Sequence, residues 1–262
     1  MAGMDWVLTL AGGILFSVMA MALVVSWFVW NRRTFTGGPL LFLLMMGVAG
    51  YALVAGLEAT FVALRWKILW STLEYLGSGS VATLFLMFAA RYSGYDRWMH
   101  GWLRFAVWSV PSAAFVLVAT NAFHHLVWNA FLPGPAGSNA VIYIHGPGFY
   151  AIITALYIYV LAACALLLRS AARPVVIRHR QSAMLLLGTL FPLIGGVLYV
   201  LGITPIQGLN IIPISFFFTV IVFFVGIGPL RVFDLVPIAR DALVEGMPEA
   251  VLVLDTEWRI ID

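Results

Sequence analysis

The chain has 262 residues, of which 63% are hydrophobic and only 10% are charged, and its formal net charge is +3. An average soluble domain carries about 25% charged residues, so this composition excludes an ordinary soluble domain and indicates membrane-spanning helices. The single cysteine, Cys164, excludes a disulfide framework. The small positive charge does not indicate nucleic-acid binding, because the basic residues fall in short clusters between apolar segments.

Seven apolar segments, each long enough to cross about 30 Å of hydrocarbon, alternate with short polar stretches. They cover 6–30, 40–64, 68–90, 103–120, 148–168, 182–202 and 209–230. The stretch Arg65, Trp66 and Lys67 forms a very short connection, whereas 121–147 is the longest one. The pattern therefore predicts an all-α membrane protein built as a seven-transmembrane helix bundle.

The basic residues predict how this bundle lies in the membrane. With the N-terminus outside, every one of the 14 basic residues except Arg65 and Lys67 falls on the inner side. Lysine and arginine are enriched in cytoplasmic loops, so this orientation is the one that the positive-inside rule favours. The sequence thus predicts a multi-pass membrane protein with its C-terminus in the cytoplasm.

The chain becomes soluble in character after the seventh segment. Residues 235–246 predict a short linker helix, because apolar residues recur at helical spacing and Gly246 and Pro248 prevent its continuation. Residues 247–262 then read as the first strands of a small α/β domain that is cut short. We therefore expect three parts: 1–234 in the membrane, 235–246 as a linker, and 247–262 as a truncated domain.

A series of short motifs runs along the chain in a characteristic order. They are Lys67, Trp70 and 73–77; Arg91 to Gly94 with Trp98; Thr120, Asn121 and 124–128; Tyr143 with 146–149; Arg178, Arg180 and Gln181; and 245–248 with 251–255. In this order the chain resembles the seven-transmembrane N-terminal sensor region of bacterial sensor histidine kinases, followed by the start of a PAS domain. The resemblance covers nearly the whole chain.

The resemblance implies a ligand-receptor domain that passes a signal through the linker to cytoplasmic PAS and kinase modules. It implies a homodimer, a small-molecule or lipid-like ligand, contact with membrane lipids, and a cytoplasmic response regulator as partner of the full-length kinase. We expect no cofactor, metal or nucleic acid, and the chain has no catalytic motif of its own. A diguanylate cyclase output or a small-solute transporter remains the alternative. A retinal protein is excluded because Lys67, the one lysine, lies outside the seventh segment.

Two acidic residues, Glu58 and Glu74, lie within the predicted spans. A charged side chain in the membrane costs about 3 kcal/mol or more unless it is paired or hydrated, so such residues are functional candidates. Both acids lie about two turns from the basic residues of the outer connection. One interpretation is an ion-pair network that locks the second and third helices. The other is that Glu74, with Trp70 one turn earlier, lines a ligand cavity.

The longest loop contains candidate ligand-binding residues. Its polar and aromatic candidates are Asn121, His124, His125, Tyr143 and His145, and Phe149 and Tyr150 follow at the start of the next span. The histidine spacing does not suit zinc, and adjacent histidines cannot easily face one metal ion. We therefore expect a folded lid whose histidines bond to backbone groups, with an aromatic rim over a cavity.

Prolines mark where a signal could pass towards the cytoplasm. Pro192 and Pro213 fall in the sixth and seventh spans, and Pro229, Arg231 and Pro237 lie at the exit from the membrane. Proline removes a helix hydrogen bond, so the interior position predicts a kink or hinge. Arg231 is placed to meet anionic head groups. These five residues are the candidates for signal transmission.

Overall fold

The computed structural model describes residues 6–33, 35–95, 101–172, 176–205 and 208–227. The helices in these ranges are α1 (Leu10–Asn31), α2 (Gly38–Thr60), α3 (Leu64–Tyr92), α4 (Trp102–Ala119), α5 (Asn121–His124), α6 (Pro147–Ala171), α7 (Val176–Val200) and α8 (Ile211–Ile227). Two strands, β1 (Trp128–Pro133) and β2 (Val141–His145), lie between α5 and α6. The predicted linker and PAS start, with Pro229, Arg231 and Pro237, lie outside the described residues.

Six of the helices are long and apolar enough to cross a membrane, namely α1, α2, α3, α4, α6 and α7. This confirms the prediction of a multi-pass membrane protein. Helix α8 is apolar but has 17 residues, and it coincides with most of the predicted seventh span. The orientation and the count of seven spans stay predictions.

The helices form a ring in which α3 is the most buried long helix. Helix α1 packs against α2 and α8, α3 packs against α2 and α6, and α7 packs against α6 and α8. These contacts close the ring, and α4 lies outside it against α3. The interior of the ring is consequently bounded by six helices.

Two glycines on α3 allow the neighbouring helices to approach closely. A Cβ atom at Gly77 would lie 2.8 Å from Cβ of Tyr51 on α2, and one at Gly79 would lie 2.7 Å from Cβ of Pro111 on α4. Small residues at these positions bring helix backbones into close van der Waals contact, which stabilises helix pairs in lipid. Helix α3 is thereby held on both sides.

The loop between α4 and α6 contains an antiparallel hairpin that the all-α prediction missed. Its register pairs Trp128 with His145, Phe131 with Tyr143, and Pro133 with Val141, with an irregularity after Trp128. Aromatic rings pack across the two strands: the ring centroids of Phe131 and Tyr143 are 5.6 Å apart. Such cross-strand pairs stabilise a hairpin, so this loop forms two strands although helices precede and follow it.

The half of the bundle distant from the hairpin is tightly packed. The side chains of Phe88, Leu167, Leu185 and Ile227 are fully buried there. Polar contacts tie the helix ends: Ser93 Oγ donates to the Leu166 carbonyl at 2.9 Å, and the Arg32 guanidinium donates to the Ile227 carbonyl. We call this half the closed end, and the half beneath the hairpin the hairpin end.

Candidate functional site

A cavity of about 170 Å³ lies inside the ring beneath the hairpin. Its walls come from α2, α3, α6, α7 and α8, and side chains of both strands contribute to its lining. An engineered apolar cavity of about 150 Å³ is known to hold a benzene molecule. The space therefore suits a ligand with a body about the size of one ring.

Helix α3 supplies one continuous stripe of this lining. Ser71, Glu74, Tyr75, Ser78 and Ala82 all face the cavity, and they recur at intervals of three or four residues. Residues at this spacing share one face of a helix. The stripe brings an acid, two serine hydroxyl groups and a tyrosine side chain to the same wall.

Trp70 does not lie in the cavity lining, contrary to the prediction that paired it with Glu74. It precedes Ser71 by one position, and its ring packs against Phe61 just after α2, with 5.8 Å between the centroids. One residue rotates the direction of a helical side chain by about 100°, and the neighbouring aromatic ring fixes the result. Trp70 thus joins α3 to the end of α2.

Glu58 on α2 agrees with both interpretations of the acidic residues, the ion pair and the cavity lining. It lines the cavity, and its Oε1 atom lies 3.8 Å from Nζ of Lys67. That Nζ also donates to the backbone carbonyl of Glu58 at 2.8 Å. Lys67 is 1% exposed and lies in the first turn of α3, so its assignment to the connection between spans was wrong. A buried lysine needs such partners, because an unpaired buried charge is strongly destabilising.

Glu74 meets a residue that the sequence reasoning missed. Its Oε2 atom accepts a hydrogen bond of 2.9 Å from Asn210 Nδ2, which also lies 3.4 Å from the Tyr51 hydroxyl. Asn210 Oδ1 accepts from the Ile212 N–H at 3.1 Å, as a capping residue does at the start of a helix. The asparagine directly before an apolar run was a helix-start pattern, but nothing in the sequence placed it beside Glu74.

The hairpin reaches into the same cavity through Tyr143. Its hydroxyl accepts a hydrogen bond from Ser71 Oγ at 2.8 Å and donates one to Glu58 Oε1 at 3.0 Å. Burial, assisted by the charge of Glu58, raises the pKa of Tyr143. The phenol therefore keeps its proton and can continue to donate. This contact joins the hairpin to α2 and α3.

His145 lies beside Tyr143 on the cavity side of β2. Its ring stacks on Phe149 with 3.6 Å between the centroids, and its Nε2 lies 3.1 Å from the Tyr199 hydroxyl. Its Nδ1 is buried and has no hydrogen-bond partner among the described residues. Burial lowers the pKa of His145 to about 4, so the imidazole is neutral at pH 7.

The other predicted residues of the loop stabilise the hairpin or face outwards. Asn121 is buried, accepts hydrogen bonds from the backbone N–H groups of Val127 and Trp128, and donates to the Trp128 carbonyl. His124 accepts from the Leu126 N–H at 3.0 Å, which is the kind of backbone contact expected for the lid. His125 and Tyr150 are exposed.

Half of the predicted ligand residues are therefore brought together. Glu58, Glu74, Tyr143, His145 and Phe149 line the cavity, whereas Trp70, Asn121, His124, His125 and Tyr150 do not. The sequence reasoning missed the lining residues Tyr51, Ser71, Tyr75, Tyr199 and Asn210. Across the described ranges, no three His, Cys, Asp or Glu side chains lie close enough together to hold a metal ion.

The cavity also contacts the last two described helices. Thr189, Pro192 and Leu193 of α7 face it, as do Phe216 and Thr219 of α8. Pro192 lies inside α7, and Pro213 is buried in the first turn of α8. Of the two predicted transmission prolines within the described residues, Pro192 is thus part of the cavity wall.

Comparison with protein families gave one match, and comparisons with curated proteins and with solved structures gave none. The family described as the N-terminal 7TM region of histidine kinase matches residues 14–237. This range includes every helix and strand described above apart from the first turn of α1. The chain therefore belongs to the family of N-terminal 7TM regions of histidine kinases.

Proposed function

We propose that this membrane sensor domain binds a small ligand in the cavity and controls the kinase activity of a bacterial inner-membrane histidine kinase. Binding would change the packing of α7 and α8. The linker at 235–246 would carry that change to the PAS and kinase modules of a homodimer, and from there to a response regulator. Family membership supports a kinase output over the cyclase or transporter alternatives.

One observation carries this proposal: the cavity touches both the hairpin and the helices that lead towards the linker. Trp128 and Tyr143 close it at one end, and Pro192 and Phe216 belong to its α7 and α8 walls. A ligand can shift an equilibrium only by binding one packing better than the other. A cavity wall formed by α7 and α8 gives a ligand direct contact with the two helices whose packing must change.

Helices α7 and α8 are joined so that they would respond together. Thr219 Oγ1 on α8 donates to the Gly188 carbonyl on α7 at 2.6 Å, and both residues are within the helices. The Arg32 contact to Ile227 then ties the end of α8 to the end of α1. Helix α8 therefore connects the wall of the cavity to the closed end, so a displacement of α8 at the cavity would also reach the closed end.

The distribution of arginines supports placing the closed end in the cytoplasm. Among the described residues, Arg32, Arg33, Arg91, Arg104, Arg169 and Arg180 lie near helix ends that share the closed end. Arg65 and Lys67 lie at the hairpin end. The positive-inside rule then directs the hairpin to the outside.

Filling the cavity tests this function. In the full-length kinase, Ala82→Phe places a ring in the cavity, and Ala113→Phe makes the same change at an exposed position of α4. We expect Ala82→Phe to change basal autophosphorylation at least about threefold, because a filled cavity favours one packing of α7 and α8 by about 0.7 kcal/mol or more. Ala113→Phe should match the wild type. Wild-type autophosphorylation by a folded Ala82→Phe kinase would contradict the proposal.

A further inference from the structure

We infer that the cavity binds a small organic cation, an ammonium group carried on an apolar body about the size of one ring. This inference rests on the proposed ligand-sensing function and names the chemical class of the ligand. Three features of the cavity point to it: the acidic side chains on its wall, the aromatic rings around these acids, and the largely apolar inner part.

Two acidic side chains stand on the wall, and basic side chains pair with them only in part. Glu58 and Glu74 both line the cavity, and no lysine or arginine belongs to the lining within the described ranges. Lys67 is fully buried and pairs with Glu58. No lysine or arginine of the described part of the chain lies within ion-pair distance of Glu74, whose polar contact is with the neutral amide of Asn210.

Glu74 therefore has an acceptor to offer to a ligand. It is 7% exposed, and Asn210 contacts its Oε2 atom, which leaves Oε1 for the cavity. A buried carboxylate is costly unless it is both paired and hydrogen-bonded. An ammonium group supplies the missing positive charge and several N–H donors at once. A ligand carboxylate would instead bring a third acid into the same space.

Aromatic rings surround this acidic part of the wall. Tyr51 shares the Asn210 amide with Glu74, and Tyr75 follows Glu74 directly on α3. The rings of Tyr75 and Trp128 pack with 5.8 Å between their centroids, and both line the cavity. The negative faces of aromatic rings attract cations, and this is how proteins recognise alkylammonium groups. His145 adds no competing charge, because it is neutral at pH 7.

The inner part of the cavity is largely apolar, since the hydroxyl groups of Thr189 and Thr219 there donate to backbone carbonyls. Val48, Val81, Phe85, Leu156 and Phe216 line it, and none of them offers a side-chain hydrogen bond. The polar end and the apolar end are thus separated along one cavity of about 170 Å³. A matching ligand has its charge at the hairpin end and its hydrocarbon body towards the closed end.

Three probes of one shape test the inference. They are 2-phenylethylamine, 2-phenylethanol and phenylacetate, which carry an ammonium, a hydroxyl and a carboxylate group on similar bodies. Their binding to the full chain in lipid nanodiscs would be measured by calorimetry, with empty nanodiscs as the blank. We expect the amine to bind at least about tenfold more tightly than the alcohol, and phenylacetate to bind more weakly than the alcohol.

Glu74→Gln should reduce the affinity for the amine to that for the alcohol, and leave the affinity for the alcohol unchanged. Glu245→Gln removes an acid outside the predicted spans and should preserve the tenfold preference. Far-UV circular dichroism checks that both variants fold. If Glu74→Gln does not fold, the binding of the three probes to the wild-type chain still decides the inference.

Equal binding of the amine and the alcohol by the wild type would overturn the inference and leave the proposed ligand-sensing function standing. A tenfold preference for the amine that survives Glu74→Gln would also overturn it, because Glu74 would not be the recognition group. Binding by none of the three probes would overturn the cationic ligand class and count against a ligand cavity as well.

Discussion

The two ends of the helix bundle differ in the side chains that fill them and in the interactions that hold them together. At the hairpin end, buried acids, a buried lysine and an asparagine surround a cavity, and a loop side chain, Tyr143, bonds across two helices. At the closed end, Phe88, Leu167 and Leu185 are fully buried in a core without acidic side chains among the described residues. The hairpin end is held mainly by hydrogen bonds between side chains of the loop and of the cavity wall, whereas the closed end is held mainly by side-chain packing, with polar contacts at the helix ends.

In the proposed function, this difference would allow one bundle both to bind a ligand and to pass on a change of packing. A ligand at the hairpin end would exchange its own hydrogen bonds for those made by loop and cavity side chains. Close-packed interiors have discrete packings and transmit displacement because they deform little. The closed end should therefore change as a unit when α7 and α8 move.

The largest expected effect is the difference in stability between losing a buried phenylalanine side chain and losing an exposed one. Phe88→Ala leaves a void in the closed end and should lower the free energy of unfolding by about 2–3 kcal/mol in micelles titrated with SDS. Soluble cores lose about 3–5 kcal/mol, but lipid tails are as apolar as phenylalanine, so here mainly the packing is lost. The matched variant Phe105→Ala removes a ring that is 77% exposed and should change little. Equal losses would show that the closed end is not tightly packed.

The sequence was most informative where the membrane alone dictates structure. The predicted span 148–168 lies within α6 at Pro147–Ala171, because the length of an apolar run follows from bilayer thickness. The hairpin could have been found as well. Short runs with aromatic and β-branched residues, 128–132 and 141–144, flank a turn rich in proline and glycine at 133–137, which is a hairpin pattern.

The composition of the cavity was less predictable, because it depends on contacts between distant parts of the chain. Glu58 and Glu74 could be found, since acids within apolar segments are rare and conspicuous. Asn210 and Tyr199 could not, because they become site residues only when α7 and α8 close the ring. Trp70 was misplaced because helical spacing gives a face but does not say which neighbour that face meets.

A smaller effect is expected at the base of the hairpin. Asn121→Ala leaves the buried N–H groups of Val127 and Trp128 without their acceptor, which costs about 2 kcal/mol. Hydrogen exchange of these two amides, measured by NMR spectroscopy or mass spectrometry, should therefore become about 30-fold faster if the hairpin opens locally. Asn129→Ala, at an exposed position of β1, serves as the control. Unchanged exchange in Asn121→Ala would mean that the strands and their aromatic rings alone hold the hairpin.

The smallest expected effect is a change in the free energy of unfolding with pH, which arises from one residue at the hairpin end. Burial lowers the pKa of His145 to about 4, whereas an unfolded histidine has a pKa of about 6.5. The unfolded state therefore takes up the proton first as the pH falls, and stability declines between about pH 6.5 and pH 4. From pH 7 to pH 5.5 the free energy of unfolding should fall by slightly more than about 1 kcal/mol through this residue. SDS titrations of the wild type, His145→Gln and the exposed control His125→Gln measure this difference.

Only His145→Gln should remove that part of the pH dependence. If His145→Gln and the wild type decline equally, the imidazole is not held neutral at the hairpin end, and the proposed difference between the two ends loses its electrostatic part.

The most direct test of the account asks whether the two ends face two compartments. Single cysteines replace Ser138 in the turn of the hairpin and Ala172 after α6, in a Cys164→Ala background, and intact cells are treated with a membrane-impermeant thiol reagent. We expect that Ser138→Cys is labelled in intact cells and that Ala172→Cys is labelled only after the cells are opened. Labelling of Ala172→Cys alone in intact cells would place the cavity in the cytoplasm and contradict the account.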